Sequence, residues 1–269
     1  MKTYLFRVKC LTDLHVGNGE ANYSIIDNEV QKDSVLQDVP IISASGVKGA
    51  LKEHFEGLWG IGDNKVLNVF GGDKDSHGNK LKDAQGKAIT KEGKYKFFTA
   101  LCLARPLRVT DGKEPYVLCT GEDTLKSFSS FLNGLGMQDF YSFTETIPEK
   151  GFGSNVAGIE IEGQPSAQLI SKGLENVMGE KYAVAKSLED FSLPVRARNA
   201  LDENGQSNSL WYEELVPHKS IFFFAVMVPD GEDSSDFRDA LTKEGVSVQF
   251  GGNASIGNGY TTITEVYPV

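Results

Sequence analysis

Between residues 40 and 59 the hydrophobic period of the chain changes from that of a strand to that of a helix, and this change narrows the folds open to it. Pro40-Ile41-Ile42 reads as a short strand running into the polar loop Ser43-Ala44-Ser45-Gly46. From there Val47, Ala50, Leu51, His54, Phe55 and Leu58 recur at the three- and four-residue spacing of one helix face. The spacing predicts a helix over VKGALKEHFEGLW, with Ser45 as its N-cap. Such a helix has one apolar stripe, and a sheet is needed to cover it.

The rest of the chain supplies strands for that sheet. KTYLFRVKCL (2–11), KFFTALCLARPLRV (96–109), PYVLCTG (115–121) and IFFFAVMVP (221–229) are all rich in apolar and β-branched residues. Helical spacing returns over 122–134, where Leu125, Phe128 and Leu132 share a face, again from Ser234 to Glu244, and weakly in LISKGLENVMG (169–179). VRARNAL and LWYEELV flank polar turn residues at 202–209, the pattern of an extended hairpin. Residues 60–96 carry eight lysines and five acidic residues among glycines, and read as an insertion or mobile loop, locally basic in an acidic chain. Strand-rich blocks around helices fit an α+β domain, or two such domains fused, in a chain of 269 residues.

Charge and cysteine usage exclude several classes. Acidic residues number 37 against 27 basic, a formal net charge of -10, so a protein that grips nucleic acid with its whole surface is disfavoured and any phosphate contact is confined to a strip. Cys10, Cys102 and Cys119 form no CxxC pair, which fits a cytoplasmic protein without a disulfide scaffold. No segment approaches about 18 consecutive apolar residues, so neither a secretion signal nor a membrane span is expected.

Chemistry-bearing residues sit mainly in loops. Gly251-Gly252-Asn253-Ala254-Ser255-Ile256-Gly257-Asn258-Gly259 lies between two strands; either its main-chain N–H groups admit a phosphate closely, or it is a bulged hairpin needing left-handed backbone. Ser45 and Lys48 at the helix start either form an anion site or are an ordinary cap beside an exposed lysine. Arg105, Arg108, Arg196 and Arg198 are further phosphate candidates, the last two sharing one side of a strand, and Trp211-Tyr212 would stack on a base or join the core. Asp27, Glu29 and Asp33 crowd a non-helical segment that is either a solvated acidic loop or a source of one carboxylate beside a phosphate. His15 and His54 read as structural, and no GxSxG, HExxH or Walker motif is present.

Taken in order, His15-x-Gly17-x-Gly19, Asp27-x-x-Val30-Gln31-Lys32-Asp33, Pro40-Ile41-Ile42-x-x-Ser45-x-x-Lys48-Gly49-Ala50-Leu51 and Gly251-Gly252-x-x-x-Ile256-Gly257-x-Gly259 resemble the repeat-associated (RAMP) RNA-binding superfamily of CRISPR systems. Within it the chain looks most like the repeated Cmr backbone subunit of type III-B effector complexes. The resemblance implies a modified ferredoxin-like or RRM-like core with large insertions and a projecting β-hairpin thumb. It divides the single domain into a palm core at 1–59, 96–135 and 218–269, the basic insertion at 60–96, and an inserted or thumb-like region at 139–217. The implied partners are CRISPR guide RNA, complementary target RNA, further copies of the chain and other Cmr subunits, with no membrane. The implied activity is a metal-dependent endoribonuclease, using Mg2+ or another divalent cation, with Asp27 as catalytic and metal-binding carboxylate. His15, Ser45, Lys48, Arg196, Gly252, Ser255, Gly257 and Asn258 would contact RNA, and Trp211 and Tyr212 would stack on bases or belong to the thumb. The chain departs from the family pattern at Ser43-Ala44-Ser45-Gly46-Val47, and its acidic balance would have to face solvent or a neighbouring subunit.

Overall fold

Apolar residues occur on both sides of the two central strands, because the sheet is covered on both faces. In a computed structural model, residues 1–19, 25–36, 39–111, 115–137, 160–161, 168–170, 182–185, 188 and 192–267 are described. The elements in order are β1 (Lys2–Cys10), β2 (Ile41–Ile42), α1 (Ala44–Trp59), α2 (Asn64–Val69), β3 (Gly71–Gly72), β4 (Lys91–Glu92), β5 (Lys96–Phe97), β6 (Ala100–Asp111), β7 (Tyr116–Gly121) and α3 (Glu122–Gly134). They continue with β8 (Glu160–Ile161), β9 (Gln168–Ile170), β10 (Tyr182–Ala185), β11 (Val195–Leu201), β12 (Ser207–Glu214), β13 (Ile221–Val228), α4 (Ser235–Thr242), β14 (Val248–Gln249) and β15 (Tyr260–Val266).

One eleven-stranded sheet runs β14-β15-β1-β13-β6-β7-β10-β9, with β2 and β8 also on β6 and β5 also on β13. At its centre β15, β1, β13 and β6 are antiparallel neighbours, with Phe6 opposite Phe224 and Val8 opposite both Phe222 and Ile263. Helix α1 connects the β1 side to β6, and α4 connects β13 to β15. Phe6, Val8, Phe222, Phe224 and Val226 point to the face that Val47, Leu51 and Phe55 of α1 and Phe237 of α4 cover. Leu5, Ile221 and Phe223 point the other way, onto Leu125, Phe128 and Leu132 of α3. Period-two alternation therefore persists in IFFFAVMV, but both phases are apolar.

Three local expectations change. Helix α1 begins earlier than the apolar stripe suggests: the cap is Ser43, whose Oγ accepts from Gly46 N at 3.3 Å, while the Ser45 hydroxyl is within 3.1 Å of that of Ser43. The lysine-rich stretch 60–96 is not one loose loop. Asp63 caps α2, and Val66, Leu67, Val69, Phe70 and Tyr95 are buried, so the ends of the stretch belong to the core and only its middle is solvated. In that middle Asp75 accepts from the amides of His77 and Asn79, and Asp83 from those of Gln85 and Lys87, so polar turns replace free chain. The weak helix at 169–179 begins instead as strand β9, and its remainder lies outside the described residues. Among the described residues no helix is long and apolar enough to cross a membrane.

Candidate nucleic-acid interface

Residues 13–17, which follow β1, tie three distant parts of the chain together. The Asp13 carbonyl accepts from Gly259 N at 2.8 Å, and the His15 carbonyl from Gly252 N at 2.8 Å. The Val16 carbonyl accepts from Gln31 N at 2.7 Å, while Leu14 bridges Val216 just beyond β12. This packing needs glycine at one position above all. Gly251 has φ +74, and a Cβ there would lie 2.2 Å from the His15 carbonyl oxygen. His15 is buried, with Nδ1 2.8 Å from the Glu214 carbonyl oxygen; a carbonyl only accepts, so Nδ1 is the donor. The His15 ring therefore ties the segment after β1 to the end of β12.

The acidic loop carrying Asp27 lies along β12. Asn28 pairs in parallel with Glu213: Asn28 N donates to Tyr212 O at 3.1 Å, and Glu214 N donates to Asn28 O at 2.9 Å. Exposed Asp27 accepts from Tyr212 N at 2.8 Å through Oδ2. A main-chain clamp on both sides thus presents this carboxylate to solvent at the root of the β11–β12 hairpin.

Two residues that the sequence reading did not single out hold this arrangement. Glu214 is buried and accepts from Val30 N at 3.0 Å and from Lys32 Nζ at 2.9 Å. Glu213, also buried, accepts from Trp211 Nε1 at 2.8 Å, Arg198 Nη1 at 3.1 Å and Asn253 Nδ2 at 3.1 Å. Burial pushes the Glu213 carboxyl up, but the hydrogen bonds from Trp211 and Arg198 and the nearby guanidinium outweigh it and leave the group below its ordinary range. One carboxylate therefore fastens the Asp27 loop, and the other fastens the glycine loop. The signal in the sequence was two adjacent acids inside a strand with apolar flanks, a placement that requires buried partners.

The predicted residues fall into three groups. His15, Asp27, Arg196, Gly252, Trp211 and Tyr212 surround the hairpin root. Arg196 is paired with Asp13, and Arg198 lies over the Trp211 ring with its guanidinium carbon 5.5 Å from the centroid. Ser45 and Lys48 lie in the first turns of α1, whose cap Ser43 is tied to Gln31: Gln31 Oε1 accepts from Ser43 N at 3.2 Å, while Gln31 main-chain N donates to Val16 O. The start of α1 and the glycine loop are thus linked through Gln31, Val16 and His15. In the glycine loop, Ser255 is exposed in a 3-10 turn over Ala254–Ile256 and Gly257 has φ +84, which answers the left-handed requirement. Asn258 is buried, and its Nδ2 has no hydrogen-bond partner within the protein. Arg105 is likewise buried, donating to Leu188 O at 2.9 Å, and is unavailable to a phosphate.

A divalent cation would need several oxygen donors. Among the described residues there is no group of three or more His, Cys, Asp or Glu side chains that could hold one.

The model of the RAMP superfamily matches residues 7–262. The chain belongs to the RAMP superfamily. The Cmr endoribonuclease Cmr4 of Pyrococcus furiosus is 23% identical over 299 residues, spanning 98% of this chain and 96% of that one. The Cmr4 subunit of Saccharolobus solfataricus is 22% identical, over 94% of this chain and 93% of its own length. Among solved structures, a chain of the type III-B Cmr-beta complex in its apo state superposes with a TM-score of 0.74 at 21% identity, covering 98% of this RAMP chain and 97% of that chain. Oligomeric Cmr4 from Pyrococcus furiosus gives 0.63 at 20% identity, covering 99% of each chain. The large central sheet with few helices is thus the fold of those proteins.

Proposed function

We propose that this RAMP protein is the repeated backbone subunit of a type III-B CRISPR ribonucleoprotein, which binds guide RNA along a filament of its own copies and cuts complementary target RNA. The observation that carries this reading is the hydrogen-bond network around residues 13–17, which links the start of α1 (through Gln31), the glycine loop, the hairpin root and an exposed Asp27. The similar protein from Pyrococcus furiosus is an endoribonuclease, and a Cmr-beta complex with a TM-score of 0.73 to this chain is bound to cognate target RNA. The antiparallel order β15-β1-β13-β6, with α1 and α4 as crossovers, supports a ferredoxin-like core. The β11–β12 hairpin forms a separate two-stranded sheet with Leu201 and Leu210 exposed, which supports its assignment as the thumb.

The chemistry follows from a single well-held carboxylate. If the bound guide and the hairpin bend the target strand, a ribose 2'-hydroxyl comes into line with the adjacent phosphorus. Asp27 orients that hydroxyl and takes its proton as the new O–P bond forms; the P–O5' bond breaks, and solvent protonates the departing oxygen. Any divalent ion would take most of its ligands from RNA phosphates. Tyr212 N fixes one Asp27 oxygen and leaves the other for the substrate. Lys48 and Arg196 position backbone phosphates without reading sequence.

The test is an assembled complex carrying Asp27→Ala, assayed with labelled target RNA. Guide loading should stay normal while cutting disappears. Ordinary cutting by that complex removes Asp27 from the mechanism and leaves a structural RNA-binding subunit.

A further inference from the structure

The Asp13 carboxylate joins the end of β1 to both strands of the β11–β12 hairpin. Oδ2 pairs with Arg196 of β11, and Oδ1 accepts from His218 N at 3.0 Å, just beyond the end of β12. The His218 ring lies near the same oxygen, with Nδ1 3.4 Å away. One carboxylate of the core therefore touches the strand that enters the hairpin and the chain that leaves it.

Both ends of this tie are held in place. Around Asp13, Thr12 N donates to Tyr260 O at 3.3 Å, Leu14 N to Val216 O at 2.9 Å, and Gly259 N to the Asp13 carbonyl at 2.8 Å. Beside His218, Lys219 has φ +73, a left-handed backbone that residues with a Cβ rarely adopt. Lys219 N donates to Cys10 O at 2.7 Å, and Ser220 Oγ donates to Pro217 O at 2.7 Å. Such a conformation persists where the surrounding bonds over-determine it.

The two strands of the hairpin are anchored differently. β12 is bound to the core through main chain, at Asn28 and just past its end at Leu14, whereas β11 reaches the core through the Arg196 side chain. Beyond the root the hairpin is a sheet of its own, with Val195, Leu201 and Leu210 exposed. The seven residues of β11 span about 24 Å, so a tilt of roughly 5° at the root moves the tip by about 2 Å. A misplacement of about 1 Å can cost on the order of a hundredfold in rate. Arg196 has five N–H donors and its side chain is 45% exposed, so it can face a phosphate while Asp13 holds one of its nitrogens.

We infer that Asp13 is a positioning residue for target cutting: by holding Arg196 and His218 N it sets the angle of the hairpin to the core, and with it which target linkage is presented to Asp27. This rests on the reading of Asp27 as the cutting carboxylate and of the hairpin as the element that bends the target. Asp13 itself touches no substrate in this role. It acts through Arg196 and through the chain end at His218.

The test uses the assembled complex carrying wild type, Asp13→Ala or Asp13→Asn, with single-turnover cutting of end-labelled target read at nucleotide resolution beside guide loading. Asp13→Ala should cut at least about tenfold more slowly and spread its products over neighbouring linkages, with guide loading unchanged within about twofold. Asp13→Asn keeps an acceptor for His218 N and nearly the same shape, so it should fold as wild type does and lie between the two. Slower cutting at an unshifted linkage is what a weakened fold produces and overturns the inference, as does wild-type rate and position in both variants. If the wild-type complex does not cut, or Asp27→Ala cuts normally, the endonuclease reading falls and takes the role of Asp13 with it.

Discussion

Replacing Glu214 should loosen the Asp27 loop before it disturbs the sheet. The Glu214 side chain is 7% exposed and holds Val30 N at 3.0 Å and Lys32 Nζ at 2.9 Å. Glu214→Ala leaves the buried Val30 amide without a partner, which costs about 1–3 kcal/mol. The Lys32 side chain is 32% exposed, so its share is below about 1 kcal/mol after solvent screening. Loss of the buried methylene adds roughly 0.8 kcal/mol, for a total of about 2–4 kcal/mol. Glu214→Gln keeps an oxygen for Val30 and should cost about 1 kcal/mol, mainly the charge assistance. Equilibrium urea unfolding followed by fluorescence of Trp59 and Trp211 measures both variants, and hydrogen exchange at Val30 reports the loop directly. In the assembled complex, Glu214→Ala should also slow target cutting while guide loading stays near normal. The reasoning is refuted if Glu214→Ala unfolds within about 0.5 kcal/mol of wild type and the Val30 amide remains protected.

Two further outcomes follow from the side chains around the interface. Ser43→Ala should cost about 1 kcal/mol through loss of the α1 cap, whereas Ser45→Ala should stay within a few tenths; the opposite order in thermal or urea unfolding would return the cap to Ser45. Because the Glu213 carboxyl lies below its ordinary 4.5 in the folded protein, its contribution is complete above the unfolded value and is lost as pH falls through the folded one. Wild type should therefore lose stability on acidification below about pH 5 more steeply than Glu213→Gln, and equal acid slopes would show that the Trp211 and Arg198 hydrogen bonds do not hold the carboxylate ionised.

The sequence alone determined the elements whose apolar period is local: α1, α3, α4, β1, β13 and the β11–β12 hairpin all lie within a few residues of their expected bounds. The order of the four glycine- and loop-borne motifs was legible through its resemblance to the RAMP superfamily, while each loop taken alone left a functional and a structural reading open. The structure alone decided what meets what. That Gln31 joins Val16 to Ser43, that Gly251 rests on the His15 carbonyl, and that Glu213 and Glu214 fasten two loops to one strand are contacts between segments far apart in the chain. No period encodes them. The same holds for residues 60–96, where charge and glycine content conceal the five buried side chains that fold it into the core. A local pattern reports which face of an element is apolar; the partner that covers the face is fixed only when the whole chain packs.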